Sequence, residues 1–200
     1  ELIGYFSDNE DEQRVRAIPG AGTNVPIWIL GSSLFGAQLA AHLGLPYAFA
    51  SHFAPAMLEE ALSVYRKTFR PSQWLAEPYV MMGAGVCAAD TDEEATFLRS
   101  SQVQAFARLM SGKPGKLPVP VQQLDLDVPR HIQAQVEQAL SCSATGSLRT
   151  IRKKLEILID THKPDELMVT GMIHDHYARV RSFKFVSEAL EVLCEKQFAA

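Results

Sequence analysis

The sequence predicts an α/β fold in which parallel strands alternate with helices. Apolar runs of strand length recur along the 200 residues, and stretches with helical spacing and helix start or stop signals lie between them. Hydrophobic residues make up 47% of the chain, which is enough to bury a core. Alternation of this kind favours a parallel sheet with right-handed crossovers.

The first strand–helix unit follows a connecting region. Residues 1–6 resemble the end of a helix, residues 8–12 are acidic and are expected to form a surface loop, and residues 17–26 are rich in Gly and Pro. The apolar run at residues 25–30 is typical of a strand covered on both faces. A helix is expected at residues 33–43, because apolar residues recur there at helical spacing.

The second and third units repeat this pattern. Gly44 can take the left-handed position that ends the first helix, and a short strand follows at residues 47–50. Pro55 is well placed in the first turn of a helix that runs to about residue 69. The third strand is expected at residues 79–89, and the capping box at residues 91–94 opens a helix that runs to about residue 110.

The last part of the chain departs from strict alternation. Residues 111–127 show no period and are predicted to be an excursion, which a helix at residues 129–140 follows. Ser147 is the expected N-cap of the next helix. The fourth strand is expected at residues 166–170, and the final helix from about residue 175.

Four strands cannot close a parallel barrel. A (β/α)8 barrel needs eight of them, and an isolated four-stranded sheet has two unpaired edges. The remaining strands must come from further chain or from a second copy of this chain. Otherwise the sheet stays open.

The clearest candidate site is the turn between the first strand and its helix. Gly31, Ser32 and Ser33 stand where a buried strand ends and a helix begins at once. The free N–H groups and the dipole of that helix would favour a phosphate, and ligands of α/β proteins bind at the carboxyl ends of strands. The alternative is that Ser32 or Ser33 serves only as an N-cap.

A second candidate group ends the second strand. Ser51, His52 and Phe53 are expected on the same face as the turn, where a histidine can donate a hydrogen bond or transfer a proton. A half-buried histidine with a purely structural role is the alternative. His174 and His176 follow the last strand, but two ligands do not make a metal site, and we expect none.

Composition narrows the class of protein. The net charge of −4 argues against a nucleic-acid surface, and no stretch of about 18 apolar residues predicts a membrane helix. No signal peptide is visible at Glu1, and the three scattered cysteines fit free thiols. We therefore expect a cytoplasmic protein. Because residue 1 is not Met, we also expect that the chain was trimmed or begins inside a longer protein.

Two segments resemble one known family. Residues 25–55 (VPIWILGSSLFGAQLAAHLGLPYAFASHFAP) closely resemble the bacterial luciferase-like, flavin-dependent monooxygenases, in particular the alkanal or luciferase-like branch. Residues 171–183 (GMIHDHYARVRSF) are similar to the last strand and helix of that family. The resemblance spans nearly the whole chain. It implies that residues 1–200 are a single domain fragment, the second half of a (β/α)8 barrel with about four βα units, strands five to eight.

The resemblance also implies a cofactor site. Leu30 and Gly31 would lie along the flavin, Ser32 and Ser33 would face its phosphate, and Gly36 would lie in the first turn of the helix. The cofactor would be FMN, reduced by a flavin reductase, and the reaction would use O₂ on a small organic substrate, possibly an aldehyde. The flavin contacts that the family makes from its first four strands have no counterpart here, so the flavin site of this chain would be incomplete. No residue is assigned as a catalytic acid or base.

Two other functions stay open at this stage. One is an oxidoreductase of the same superfamily that uses the deazaflavin F420. The other is a non-catalytic, truncated chain that associates through its open sheet edges, and we expect a homo-oligomer.

Overall fold

The computed structural model describes residues 1–7, 15–124 and 128–198, with side chains described as far as residue 194 in the last helix. The acidic segment expected at residues 8–12 and the end of the excursion, residues 125–127, lie outside the described residues.

Five strands and seven helices make up the described chain. The strands are β1 (Ile29–Gly31), β2 (Tyr47–Phe49), β3 (Val80–Ala88), β4 (Ser143–Gly146) and β5 (Glu166–Thr170). The helices are α1 (Leu2–Phe6), α2 (Leu34–Leu43), α3 (Leu58–Thr68), α4 (Asp92–Met110), α5 (Arg130–Ala139), α6 (Leu148–His162) and α7 (His176–Phe198). A single 3₁₀ turn, Pro55–Met57, leads into α3 with Pro55 in its first turn, as expected.

The strands form one parallel sheet around β3. The order is β1-β2-β3-β4, and β5 also pairs with β3. The backbone N–H of Tyr47 donates to Tyr79 and that of Gly85 donates to Cys142, whereas Asp165 donates to Val80. Because backbone groups of alternate residues point to opposite edges of a strand, β2 and β4 lie along one edge of β3 and β5 lies along the other. The predicted α/β class, a parallel sheet with flanking helices, is confirmed.

Strand β4 was not predicted from the sequence. We expected no strand between the helix at residues 129–140 and the helix that begins at Ser147, and this expectation is wrong. The segment Ser143–Gly146 has four residues and no apolar run, so it carries no periodic signal. It pairs because it runs beside the upper half of β3, from Gly85 to Ala88, where the ladder satisfies its backbone groups.

Strand β1 is also shorter than expected. Residues 25–28 lie outside the ladder, and pairing begins where the Ile29 N–H donates to Pro46, opposite Tyr47. Pro26 has no N–H to give to a ladder. The expected cover on both faces is wrong as well, since the Leu30 side chain is 71% exposed.

Helices cover one face of the sheet along its whole length, and on the other face α4 covers only the carboxyl end of β3, where Cys87 packs on Ala95 and Leu98. Val80 and Met82 of β3 pack into a cluster with residues of α2 and α3, and Val86 and Ala88 pack into a second cluster with α6 and α7. Side chains alternate between the faces of a strand, so Met81, Gly83 and Gly85 point to the other side. We call that side the open face.

Helix ends follow the sequence signals with one change. Gly44 closes α2 with φ +63°, as predicted. Thr91 Oγ1 accepts the Glu94 N–H at 3.1 Å, but the Glu94 carboxylate bonds to the N–H of Asp90 instead of Thr91. The capping box is therefore half formed, and Glu94 serves the residue before the cap. Within the described residues, no helix is long and apolar enough to cross a membrane.

Candidate functional site

The open face of the sheet carries apolar side chains without cover. Leu30 and Met168 are 71% and 55% exposed. The ladder places Leu30 in one row with Ala48 and Met81, and it places Met168 beside Gly83. In a closed barrel these positions would face the interior, where such side chains are packed in layers.

The turn between β1 and α2 lies at the carboxyl end of β1. Ser33 is the N-cap of α2, yet its side chain makes no capping hydrogen bond. The Tyr47 hydroxyl, on β2, instead donates to the Ser33 carbonyl at 3.2 Å and holds the turn against the neighbouring strand. Burial raises the pKa of Tyr47 to about 12, so this donor keeps its proton. The first N–H groups of α2 and the hydroxyl of Ser33 therefore remain available to an anion.

Two glycines keep this turn tight. A Cβ on Gly36 would lie 3.4 Å from the Tyr47 ring, and a Cβ on Gly31 would lie 3.8 Å from the Gly36 Cα. No other atom lies within 4 Å of the Gly31 position among the described residues. The backbone therefore leaves an open cradle at Gly31, of the kind that lets a phosphate approach main-chain N–H groups.

His52 lies on the open face, against β3. A Cβ added to Gly83 would collide with His52 Nδ1, so the imidazole occupies the space that the missing side chain leaves. Nδ1 is buried and has no hydrogen-bond partner in the described chain, and the ring packs edge-to-face on Phe53 with centroids 4.8 Å apart. Burial lowers the pKa of His52 below its usual 6.5, so the ring is neutral at pH 7.

The three residues after β2 have different surroundings. Ser51 is fully buried, and its hydroxyl donates to the Gly83 carbonyl at 2.6 Å, so it ties β2 to β3 and does not reach the open face. Phe53 is 47% exposed beside His52. Of the three candidate substrate-binding residues, His52 and Phe53 therefore lie at the open face, and Ser51 is buried between β2 and β3.

The N-terminus of α6, which also follows a strand, is already filled by a carboxylate. Asp92 accepts hydrogen bonds from the Ser147 N–H at 2.6 Å and from the Thr150 hydroxyl at 3.1 Å. Ser147 is the N-cap as predicted, but its side chain makes no capping bond. These bonds lower the pKa of Asp92, the bond from the Ser147 backbone first among them. This helix end therefore has an internal anion where α2 has none.

We expect Asp92→Asn to destabilise the protein in a pH-dependent way. The folded-state pKa of Asp92 lies below that of the unfolded chain, so its contribution is present above about pH 4 and is lost as the pH falls through the folded pKa. Urea unfolding from pH 3 to pH 7 should show the largest difference from wild type near neutrality. Asp160→Asn, on the exposed side of α6, is the control. A difference that stays constant with pH would contradict the role of the charge.

The histidines after β5 do not assemble a metal site. His176 Nδ1 contacts Arg179, and Asp175 accepts the Ala178 N–H at 2.8 Å and caps α7. Across residues 1–7, 15–124 and 128–194, no three His, Cys, Asp or Glu side chains gather as metal ligands would.

A separate cavity of about 840 Å³ lies at the amino ends of the strands. Trp28, Trp74, Tyr79 and Glu166 are among its walls. Ligands of parallel α/β proteins bind at the opposite, carboxyl ends. We therefore assign the candidate site to the ends of β1 and β2 and to the open face.

The fold is a parallel sheet with flanking helices, and a helix N-terminus without a side-chain cap lies at the end of a strand. Both features are typical of barrel proteins that bind phosphorylated ligands. The comparison with known families makes this specific. Residues 4–156 match the family model for luciferase-like monooxygenases, and the chain belongs to that family.

Curated relatives agree with the family model. The chain is 45% identical over 193 residues to an Escherichia coli K12 protein named luciferase-like monooxygenase. This match covers 96% of this chain and 58% of that protein. It is 43% identical to the uncharacterized protein YvbT of Bacillus subtilis, over 94% of this chain and 56% of YvbT. The chain thus spans somewhat more than half the length of these relatives.

Solved structures share the fold. The crystal structure of apo-MsnO8 matches with a TM-score of 0.73 and 28% identity, over 92% of this chain and 56% of that chain. More distant structures, at 16% and 14% identity, include a riboflavin lyase with modified FMN and an F420-dependent secondary alcohol dehydrogenase. At that identity they show the fold alone.

Proposed function

We propose that the protein containing this chain is an FMN-dependent monooxygenase that acts on a small organic substrate. The observation that carries the proposal is the free N-terminus of α2 beside Ser32 and Ser33. It lies at a strand end, in a chain whose family is that of the luciferase-like monooxygenases. Reduced FMN, supplied by a reductase, would provide two electrons, so that one atom of O₂ enters the substrate and the other leaves as water.

The residues of this chain would bind and shelter the cofactor. The N–H groups at the start of α2 and the hydroxyls of Ser32 and Ser33 would hold the phosphate, since the dipole of α2 favours an anion there. Leu30 and Gly31 would lie along the flavin chain, and the short distance between Gly31 and Gly36 would allow close approach. The exposed side chain of Leu30 would then be covered by a ligand or by further strands, which would exclude water.

His52 and Phe53 would contact the substrate. Because His52 is neutral at pH 7, it serves as a hydrogen-bond donor or acceptor and does not add a positive charge to the site.

The phosphate contact predicts a preference for FMN over riboflavin, which has the same ring but no phosphate. We expect the chain to bind FMN at least tenfold more tightly than riboflavin, measured by quenching of flavin fluorescence. The double variant Ser32→Ala/Ser33→Ala should lose most of this preference. The double variant of two exposed serines elsewhere, Ser141→Ala/Ser187→Ala, should retain it.

Two results would overturn the proposal. Equal affinity of wild type for FMN and riboflavin would remove the phosphate site from this turn. Tighter binding of F420 than of FMN in the same titration would assign the chain to the deazaflavin branch.

A further inference from the structure

The cavity at the amino ends of the strands is lined by aromatic rings. Its volume of about 840 Å³ lies within the range of small-molecule sites. Trp28 and Tyr79 meet edge to face, with ring centroids 5.7 Å apart and ring planes inclined at 75°, so the two rings form a corner. Trp74, which is 46% exposed, lines the same space. Both tryptophans of the chain therefore line one cavity, which the proposed function does not use.

Hydrogen bonds to neighbouring elements hold these walls in place. The Ser72 hydroxyl donates to the Gly44 carbonyl at 2.7 Å and accepts the backbone N–H of Trp74 at 3.0 Å. These two bonds tie the turn that carries Trp74 to the end of α2. On the other side, the backbone N–H of Tyr79 donates to the Tyr65 hydroxyl at 3.1 Å. Because the walls are already ordered, a ligand would lose little affinity to the cost of ordering them.

One carboxylate sets the charge of the cavity. Glu166, the first residue of β5, accepts a hydrogen bond from the Tyr79 hydroxyl at 3.0 Å through Oε1. This bond is the main cause of the raised pKa of Tyr79, so the hydroxyl keeps its proton. Among the described residues that line the cavity, no other side chain is charged. The carboxylate is therefore not neutralised by a lysine or arginine from the same walls, and the cavity favours a cation.

We propose that this cavity binds a quaternary ammonium ion. The faces of aromatic rings attract such a weakly hydrated cation, and tryptophan does so most strongly. A quaternary ammonium has no N–H group to satisfy, so ring faces and one nearby negative charge suffice to bind it. A primary ammonium would need acceptors for three N–H groups, whereas Glu166 already shares one carboxylate oxygen with Tyr79. The site lies at the opposite ends of the strands from the proposed phosphate site, and it is separate from the flavin.

The test titrates the 200-residue chain with choline and with 3,3-dimethylbutan-1-ol. The alcohol has the shape of choline but carries carbon in place of nitrogen, so it has no charge. Because Trp28 and Trp74 are the two tryptophans of the chain and both line the cavity, tryptophan fluorescence reports binding there directly. Choline should change the fluorescence with saturation, and it should bind about tenfold more tightly than the alcohol.

A pair of charge variants tests the carboxylate. Glu166→Gln keeps an oxygen that can accept from the Tyr79 hydroxyl and removes the charge. We expect about fivefold weaker binding of choline and unchanged binding of the alcohol. Glu188→Gln removes the same charge from an exposed position on α7, outside the cavity, and it should bind choline as wild type does.

A pair of variants at Trp74 tests the ring. Trp74→Leu replaces the ring with an apolar side chain, and we expect about fivefold weaker binding of choline. Trp74→Phe keeps a ring face and should retain most of the affinity. Trp28 remains as the fluorescent reporter in both variants.

Equal affinity of wild type for choline and the alcohol would make this an apolar cavity without a cation site and would overturn the proposal. So would the absence of a saturable response, an unchanged choline affinity in Glu166→Gln, or equal weakening in Trp74→Leu and Trp74→Phe. None of these titrations contains flavin, so their outcome is independent of the preference for FMN over riboflavin.

Discussion

Gly83→Ala will release His52 from its position on β3. The added methyl group would collide with Nδ1, and the Gly83 carbonyl cannot retreat because the Ser51 hydroxyl holds it at 2.6 Å. The imidazole can move more easily than the backbone of β3, so we expect it to rotate toward solvent. We expect a loss of about 1–3 kcal/mol in the free energy of unfolding, typical of overpacking.

The pKa of His52 reports this movement directly. Burial lowers it in the wild-type protein, and a ring displaced into water should titrate near its usual value of 6.5. The measurement is a nuclear magnetic resonance titration of the His52 ring signals between pH 4 and pH 8. The expected result is an upward shift of the pKa of His52 in Gly83→Ala.

Gly85→Ala is the matched control on the same face of the same strand. Its Cβ would lie 3.2 Å from the Ser143 Cβ and would have no contact with His52. The protein should lose a similar amount of stability, while the pKa of His52 stays low. If the pKa of His52 does not rise in Gly83→Ala, the position of the ring does not depend on the space that Gly83 leaves.

The strand–helix order could be predicted from the sequence because each element carries its own local signal. The helix α2 illustrates this, since its start, its left-handed end at Gly44 and the strand on either side were all readable from residue types. The turn at Gly31, Ser32 and Ser33 was found in the same way, because a strand end followed at once by a helix is a local feature.

The rest of the site depends on contacts between distant parts of the chain. Gly83 was visible as a small residue, but its role depends on His52, which lies 31 positions earlier and fills the space above Gly83. Strand β4 was missed for the same reason, since its four residues form a strand only beside β3.

The second large effect on stability is expected at Gly44, which ends α2 at the opposite end from the proposed phosphate site. Gly44→Ala should destabilise the protein by about 3 kcal/mol. The left-handed φ of +63° costs about 1 kcal/mol for any residue with a Cβ. The rest comes from collision, because the new Cβ would lie 2.5 Å from the Arg70 carbonyl oxygen and 2.5 Å from the Ser72 Cβ.

The segment that meets this Cβ cannot move aside without further loss. The Arg70 N–H donates to the Ala41 carbonyl at 3.0 Å, and the Ser72 hydroxyl donates to the Gly44 carbonyl at 2.7 Å. Moving the segment would break bonds that satisfy the last carbonyls of α2, each of which contributes about 1 kcal/mol. The collision therefore lowers the free energy of unfolding in either case, through strain if the segment stays or through lost hydrogen bonds if it moves.

Gly112→Ala separates the collision from the backbone strain. Gly112 follows α4 with φ +71°, close to the value at Gly44, and no atom among the described residues lies within 4 Å of its missing Cβ. It should lose only the conformational part, about 1 kcal/mol. Urea unfolding of both variants beside wild type measures the difference, which we expect to be about 2 kcal/mol. Equal losses would mean that the segment at residues 70–72 moves aside freely, and that the two hydrogen bonds it makes to α2 contribute little to stability.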